Sequence, residues 1–358
     1  MLEIYRKIYC IGCPDPLSDT MTEIRKVQIT GGSSFIISLP KEWAKANKVK
    51  KNDPLAISVQ PDGNLLISSR ISGEQVQRVK DLDLAKVHDA TYLFRLLIAA
   101  YIDGFTLIRI RGERRLPPFV RAAVRDFTQM TIGQEVAEET EQSITIKDLL
   151  NPLEMPFDRT LSRMTVIVRS MHEDAIGALE TGNPGLAQDV VSRDNDVDRL
   201  HWLVARQFNL VLIDPNLSRN MNITLPMAAS YYIMSRLIER IGDHAVRIAE
   251  NVPALLAVKM EKGLVQDLKE ATSLALDILR KSTDAFFADD IDAAHTHLQA
   301  VASLEERCSR ITHRASPFKG ETAVALGYII ESIRRIGEYA ADICENTINH
   351  LVAEPKNG

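Results

Sequence analysis

Two carboxylate pairs are the residues of this sequence whose spacing most plainly fits a chemistry. Asp194 and Asp198 stand four residues apart, as do Glu239 and Asp243. On a helix that spacing puts both members of a pair on one face. Pairs from two neighbouring helices make an all-oxygen site. Such a site suits a hard divalent or trivalent cation such as Mg²⁺, Mn²⁺ or iron, with Zn²⁺ also admissible. Asp198-x-x-His201 offers a nitrogen ligand from the same face. The plainer reading is a solvated acidic face. On a helical wheel Glu239, Asp243 and Glu250 fall opposite Met234, Ile241 and Ile248, with Arg236, Arg240 and Arg247 near enough to neutralise them. Asp194 and Asp198 instead flank the apolar stripe of Val190 and Val197. His244 lies close to core positions and reads as packing or capping. The metal reading rests on Asp194, Asp198, Glu239 and Asp243.

No second chemistry competes with it. Di-iron carboxylate bundles use two Glu-x-x-His motifs, whereas this chain has a single Asp-x-x-His. No Ser/His/Asp or Cys/His arrangement is recognisable, so a non-enzyme is expected. Gly31 to Ser34 is not followed by the Gly-Lys-Ser/Thr of a nucleotide loop. Cys10 and Cys13 form a CxxC with no second pair or His cluster to complete a zinc site. Met21 offers an alternative start after that motif. Cys308 and Cys344 read as small core residues of helices.

The elements that must position these carboxylates are duplicated. Residues 239–252 and 334–347 agree at seven of fourteen positions, including Arg240-Ile241-Gly242 with Arg335-Ile336-Gly337 and Glu250-Asn251 with Glu345-Asn346. Upstream, Ala178 to Asp198 aligns with Ala285 to Glu305. Periodicity from Phe157 onward predicts helices only, near 158–181, 184–210, 225–258, 261–288, 291–314 and 321–352. These make two three-helix units, 157–258 and 261–352. The first has a longer link, Val211 to Thr224, where the second has only Ala315-Ser316-Pro317. The copies differ where chemistry is concerned. Val301 stands opposite Asp194 and Arg334 opposite Glu239, leaving Glu305 and Glu338. A cation is expected in the first unit only, with Arg334 pairing to Glu338 in the second.

The N-terminal half has a different pattern. From Met21 to about Ser69 it reads strand, strand, short helix from Pro40 to Asn47, then a hairpin through Pro61 to Asn64. From about Glu74 to Pro152 it reads as a small α/β sheet. Its strands lie near Val76 to Asp81, Phe105 to Arg111, Glu135 to Glu139 and Ser143 to Lys147. Its helices run from about Asp89 to Ile102 and from Pro117 to about Met130.

The chain has 358 residues, 45% hydrophobic and 25% charged, enough for two or three domains with cores of their own. Its net charge of −5 excludes a protein that is basic throughout. Between Met21 and Lys51, however, seven Lys or Arg face two Glu. Arg25, Lys26, Lys41, Lys45, Lys48, Lys50 and Lys51 are therefore candidate phosphate contacts for DNA. The bland alternative is a solvated turn on a dimerisation module. The best apolar run, Leu93 to Ile102, is short and interrupted by Arg95, so no membrane insertion is expected. No signal peptide is visible, which makes the cytoplasm the default location.

Two resemblances follow. Arg25-Lys26-Val27-Gln28, Thr30-Gly31-Gly32-Ser33-Ser34, Ser38-Leu39-Pro40-Lys41-Glu42-Trp43 and the Asp53 and Asp62-Gly63 turns resemble the AbrB/SpoVT family of swapped-hairpin domains. That resemblance implies an interleaved homodimer with basic side chains facing promoter DNA. The duplicated helices, with Val197-Asp198 or Leu304-Glu305 and the Arg-Ile-Gly-Asp/Glu helix, resemble the PhoU family of phosphate-signalling regulators. Metal-binding acidic pairs and negative control of phosphate uptake are implied, through a phosphate ABC transporter ATPase or a signalling protein. Together they look like archaeal PhoU-type regulators with an AbrB-like domain at 21–70, an α/β linking domain at 74–152 and a six-helix bundle. A metal-dependent scaffold that never touches DNA is the main alternative, and a small-molecule sensor in the α/β segment is a third.

Overall fold

The computed structural model describes residues 23–32, 34–59, 63–69, 77–258 and 260–353. Cys10, Cys13, Ser33 and Asp62 lie outside the described residues. The chain divides into two compact units, Met1–Glu74 and Gln75–Gly358.

In the first unit β1 (Gln28–Thr30) pairs antiparallel with β2 (Ser34–Ile36) in the register Gln28 to Ile36. Helix α1 (Lys41–Ala46) follows directly after Pro40, whose fixed φ suits a helix entry. Strands β3 (Ala56–Val59) and β4 (Leu65–Ser68) then form a second hairpin. None of the described residues of this unit is buried. Phe35 is 76% and Val59 74% exposed, and Ile24, Val27, Ile29, Ile37, Ile57 and Leu65 are exposed with them. Two isolated hairpins are marginal in water. These side chains need a partner to cover them.

The second unit opens with a four-stranded sheet in the order β5-β6-β8-β7, built from β5 (Val79–Asp83), β6 (Leu107–Arg111), β7 (Gln134–Glu139) and β8 (Ser143–Asp148). Strands β5 and β6 run parallel and the other pairs antiparallel. Helix α2 (Ala90–Ile102) crosses between β5 and β6, capped by Asp89, whose carboxylate accepts from Tyr92 N at 2.8 Å. Helix α3 (Pro118–Met130) links β6 to β7. Both helices bury Leu93, Leu97, Tyr101, Val120 and Phe127 against Ile108, Ile110, Ile144 and Ile146 of the sheet.

The rest is helical. The elements are α4 (Phe157–Thr181), α5 (Pro184–Ile213), α6 (Pro215–Asn220), α7 (Leu225–Leu256), α8 (Lys262–Phe287), α9 (Ile291–Ala315) and α10 (Gly320–Ala353). Six long helices stand where periodicity places them. The link between α5 and α7 holds one further short helix, α6, started by Pro215 and capped by the Asp214 carboxylate on Asn216 N at 2.9 Å. One continuous apolar core runs from Leu161 to Ile343 through both repeats. Among the described residues no helix is long and apolar enough to cross a membrane. Cys308 and Cys344 are buried free thiols.

The repeated residues mark repeated geometry. The turn after α4 places Gly182 at φ 69° and uses Asn183 to cap α5, its side chain accepting from Gly185 N at 3.0 Å. In the second repeat Asp289 takes the left-handed position at φ 53° and Asp290 caps α9 through Ala293 N at 2.9 Å. The shared Arg-Ile-Gly has a packing reason. A Cβ on Gly242 would sit 3.5 Å from Val197 of α5, and one on Gly337 would sit 2.5 Å from Leu304 of α9. Val197 and Leu304 are the aligned residues of the two copies. Gly337 therefore lets α10 lie close on α9, whereas a Cβ at Gly242 would make only an ordinary contact with Val197.

The bundle also buries histidines. His172 is fully buried and donates from Nε2 to the Ile241 carbonyl at 2.8 Å, and burial pulls its pKa down to about 4. A base depressed in the folded state stabilises fully above its unfolded pKa, near 6.5, and that contribution is lost as pH falls toward 4. His172→Gln should therefore spare the bundle about 3 kcal/mol of acid destabilisation between those limits, measured as urea unfolding at several pH values. An identical acid limb in wild type and variant would show that folding does not depress the His172 pKa.

Candidate functional site

The four predicted carboxylates come together where α5 crosses α7. Their fields overlap: the Asp198 pKa is pushed up to about 7 by burial first, then by Asp194, Glu239 and Asp243. Glu239 also reaches about 7, from burial and then Asp243, with Arg236 opposing. Asp194 rises to about 6 through burial, Asp243 and Glu250. Burial likewise raises Asp243, which sits at the exposed rim, against the pull of Arg236 and Arg240. Oδ1 of Asp194 and Oε2 of Glu239 are buried with no hydrogen-bond partner.

The solvated-face reading of Glu239 is therefore wrong. Its side chain is only 14% exposed, and Arg236 approaches no closer than 3.8 Å. The cause is the α5 neighbour, whose Val190 and Val197 share one core with Ile238 and Ile241 of α7. The chemistry of the donor set fits a hard cation, since four mutually repelling carboxylates would gain from a positive charge among them. As the side chains stand, no group of three His, Cys, Asp or Glu among the described residues is arranged to hold a metal ion. His201 points elsewhere. It is buried, bonded through Nδ1 to Ser235 Oγ at 3.0 Å and stacked on Tyr232, and burial holds its pKa near 4. His244 packs as expected, with Nδ1 3.1 Å from Ser332 Oγ and its ring against Tyr339.

The second repeat replaces this acidic field with an ion-pair network. Arg334 pairs with Glu338, as the alignment of the copies predicts, and also donates to Glu331 at 2.7 and 3.0 Å. Arg335 joins the same two glutamates at 3.1 and 2.7 Å. The alignment gives Arg334 and Glu338 but not Glu331, which is the counterpart of Arg236 with the charge reversed. The Arg334 hydrogen bond holds the Glu331 carboxyl below its usual range. Helices α7 and α10 run side by side in opposite directions: Arg247 lies over Tyr328, Arg240 over Tyr339, and Asn346 donates to Ser230 O at 3.2 Å.

One buried group escaped sequence reasoning. Arg206 of α5 is 1% exposed, pairs with Asp148 at the end of β8, donates to Tyr101 O, and lies 4.9 Å over the Tyr101 ring. With Asn209 donating to Ile102 O at 2.9 Å and Gln207 to Met155 O at 2.6 Å, it fixes the sheet layer to the bundle.

Of the predicted DNA contacts, Arg25, Lys26, Lys41, Lys45, Lys48, Lys50 and Lys51 are all exposed. Arg25 pairs with Glu23, while the six lysines form no ion pair among the described residues.

Comparison with known proteins defines the class first. Residues 161–252, the bulk of the first three-helix unit, match the PhoU domain. Residues 28–75 match the family described as antidote-toxin recognition MazE, bacterial antitoxin. The chain thus carries a PhoU domain and, ahead of it, a separate MazE/AbrB-like segment. Among individual relatives, the phosphate-specific transport system accessory protein PhoU homolog 1 of Thermotoga maritima is 26% identical over 196 residues, 52% of this chain and 82% of that protein. The PhoU homolog of Clostridium acetobutylicum is 22% identical over 202 residues, 52% and 87% of the two chains. Among solved structures, PhoU of Pseudomonas aeruginosa aligns with TM-score 0.49 at 21% identity, covering 55% of this chain and 96% of that one. These relatives are bacterial, so the archaeal attribution drawn from the combined architecture has no counterpart among them. PhoU-family proteins are regulatory and non-catalytic, in agreement with the reading of this chain as a non-enzyme.

Proposed function

We propose that this protein regulates phosphate uptake, its helical half acting by contact with a phosphate transporter component or a signalling protein. The observation that carries the reading is the PhoU match on α4, α5 and α7, the helices that also hold the acidic field. We further infer that the N-terminal unit forms an interleaved homodimer and brings its lysines to promoter DNA. The uncovered apolar side chains of its hairpins and its six unpaired lysines support that reading. A cytoplasmic location fits both roles.

Cells lacking the gene should take up labelled phosphate at an undiminished rate in high-phosphate medium, where the parent strain shuts uptake down. Normal shut-down without the gene would reject the regulatory role. The DNA route has a separate test. Promoter DNA should shift in a gel at low salt and release at higher salt, and Lys41→Glu with Lys45→Glu should abolish the shift. No shift at low salt, or one insensitive to salt, sinks DNA binding. A second reading, a metal-dependent protein scaffold without DNA binding, draws on the partnerless oxygens of Asp194 and Glu239. In it Asp194, Asp198, Glu239 and Asp243 hold a divalent or trivalent cation that neutralises their repulsion and stiffens the contact of α5 with α7.

A further inference from the structure

The sheet layer carries positive charge that the proposed function does not use. Arg115, in the loop after β6, and Arg121 and Arg125, one turn apart on α3, line a surface cavity of about 470 Å³, with Leu116, Pro118 and Ala122 as its apolar wall. Arg121 is fixed in place. Its Nε donates to Glu139 Oε1 at 2.6 Å, and its two terminal nitrogens reach the carbonyls of Leu116 and Thr140 at 3.4 Å. Arg115 and Arg125 are exposed, and their guanidinium groups make no hydrogen bond or ion pair among the described residues. Glu139 answers one of the three charges, so two stand unanswered around one concavity. Repulsion at this spacing is unfavourable in the empty site and is relieved by an anion.

The helix beside them adds to the same field. Helix α3 begins at the cavity with Pro118, and its N-cap Pro117 offers no side-chain acceptor to the first turn. Its positive end therefore lacks the oxygen that caps α2 or α5. Size narrows the ligand. Small-molecule sites run to roughly 300–1,000 Å³, and a bare phosphate would leave most of this cavity empty. Guanidinium forks match phosphate oxygens and also stack on planar rings.

We propose that this cavity binds a phosphorylated small molecule of nucleotide size. Arg115 and Arg125 meet its phosphates, the anchored Arg121 sets the position of the site, and the apolar wall carries the rest of the molecule. The inference does not depend on the role of the PhoU domain, because its readout is direct binding to the sheet layer.

Calorimetric titration of the full chain at low salt with ATP, ADP, adenosine, inorganic phosphate and a short DNA duplex tests it. ATP and ADP should bind and adenosine should not, with inorganic phosphate much weaker than either. Arg115→Ala with Arg125→Ala should weaken ATP roughly tenfold or more. Thermal melting of that variant should match wild type, since neither side chain has a partner to lose. Absence of binding by any phosphorylated ligand, or unchanged affinity in the double variant, overturns the proposal. Inorganic phosphate as tight as ATP would mean a bare anion site and also overturns it. DNA binding lost in the double variant, with no nucleotide bound, would assign the groove to nucleic acid instead.

Discussion

Asp148→Ala should cost the second unit about 3–5 kcal/mol, read as a lower urea midpoint with unchanged slope. The loss comes less from the pair than from what is left behind. Arg206 would stay charged and 1% exposed, with the Tyr101 carbonyl and ring as its remaining company. Burial already pushes the Asp148 carboxyl above its ordinary range, outweighing the opposing pull of Arg206. Two ions taken out of water cost about as much as they return, so the pair itself contributes little net stability. Asp148→Leu combined with Arg206→Met, which removes both charges and refills the volume, should therefore recover most of the loss. If the double variant is as unstable as the single one, the pair is a net stabiliser and the argument from desolvation is wrong.

Glu239→Gln should raise thermal stability at pH 8 and leave it nearly unchanged at pH 5. The folded-state pKa of Glu239 lies at about 7, above the unfolded value. A carboxyl raised in this way stabilises fully below its unfolded pKa, and that contribution is lost as pH rises through 7. At pH 8 the ionised group costs about 2–3 kcal/mol, which for a unit of this size means several degrees of melting temperature. The field it shares with Asp194, Asp198 and Asp243 should respond to cations as well. Mn²⁺ at pH 8 should raise the melting temperature of wild type but not of Asp198→Asn with Glu239→Gln. A cation effect that persists in the double variant places the ion elsewhere. A melting temperature for Glu239→Gln that tracks wild type from pH 5 to 8 would mean the carboxyl titrates normally.

Periodicity made the long helices legible because each buries one stripe: Leu161, Met164, Val168, Met171 and Ala175 alternate steps of three and four. Comparison of the repeat copies foretold the Arg334–Glu338 pair, since two carboxylates in one copy face an arginine and a carboxylate in the other. The helical wheel left Glu239 open between a solvated face and a site residue, because a wheel knows only its own helix. The α5 neighbour that shuts out water is brought in by the core that Val190 and Val197 share with α7. Arg206 was invisible for a related reason. It sits in a stretch, Leu203 to Gln207, buried on nearly every side, and its partner lies 58 residues away in a strand. The arginines at 115, 121 and 125 are plain in the sequence, but only the loop after β6 gathers them at one cavity. The exposed apolar hairpins show the opposite limit, where nothing in the unit itself covers the side chains.

The antiparallel pairing of α7 with α10 has a consequence for how such a protein can change. In a homodimer every substitution is made twice, so an arginine that suits one half must be tolerated by its twin. Here the two halves are consecutive stretches of one chain, and each can mutate alone. The apolar core that runs through both repeats keeps the mechanical frame common to both. Within that frame, Arg334 braces one half with its own glutamates, while Glu239 leaves the other half an uncompensated acidic cluster. With both copies in one chain, each side can change on its own.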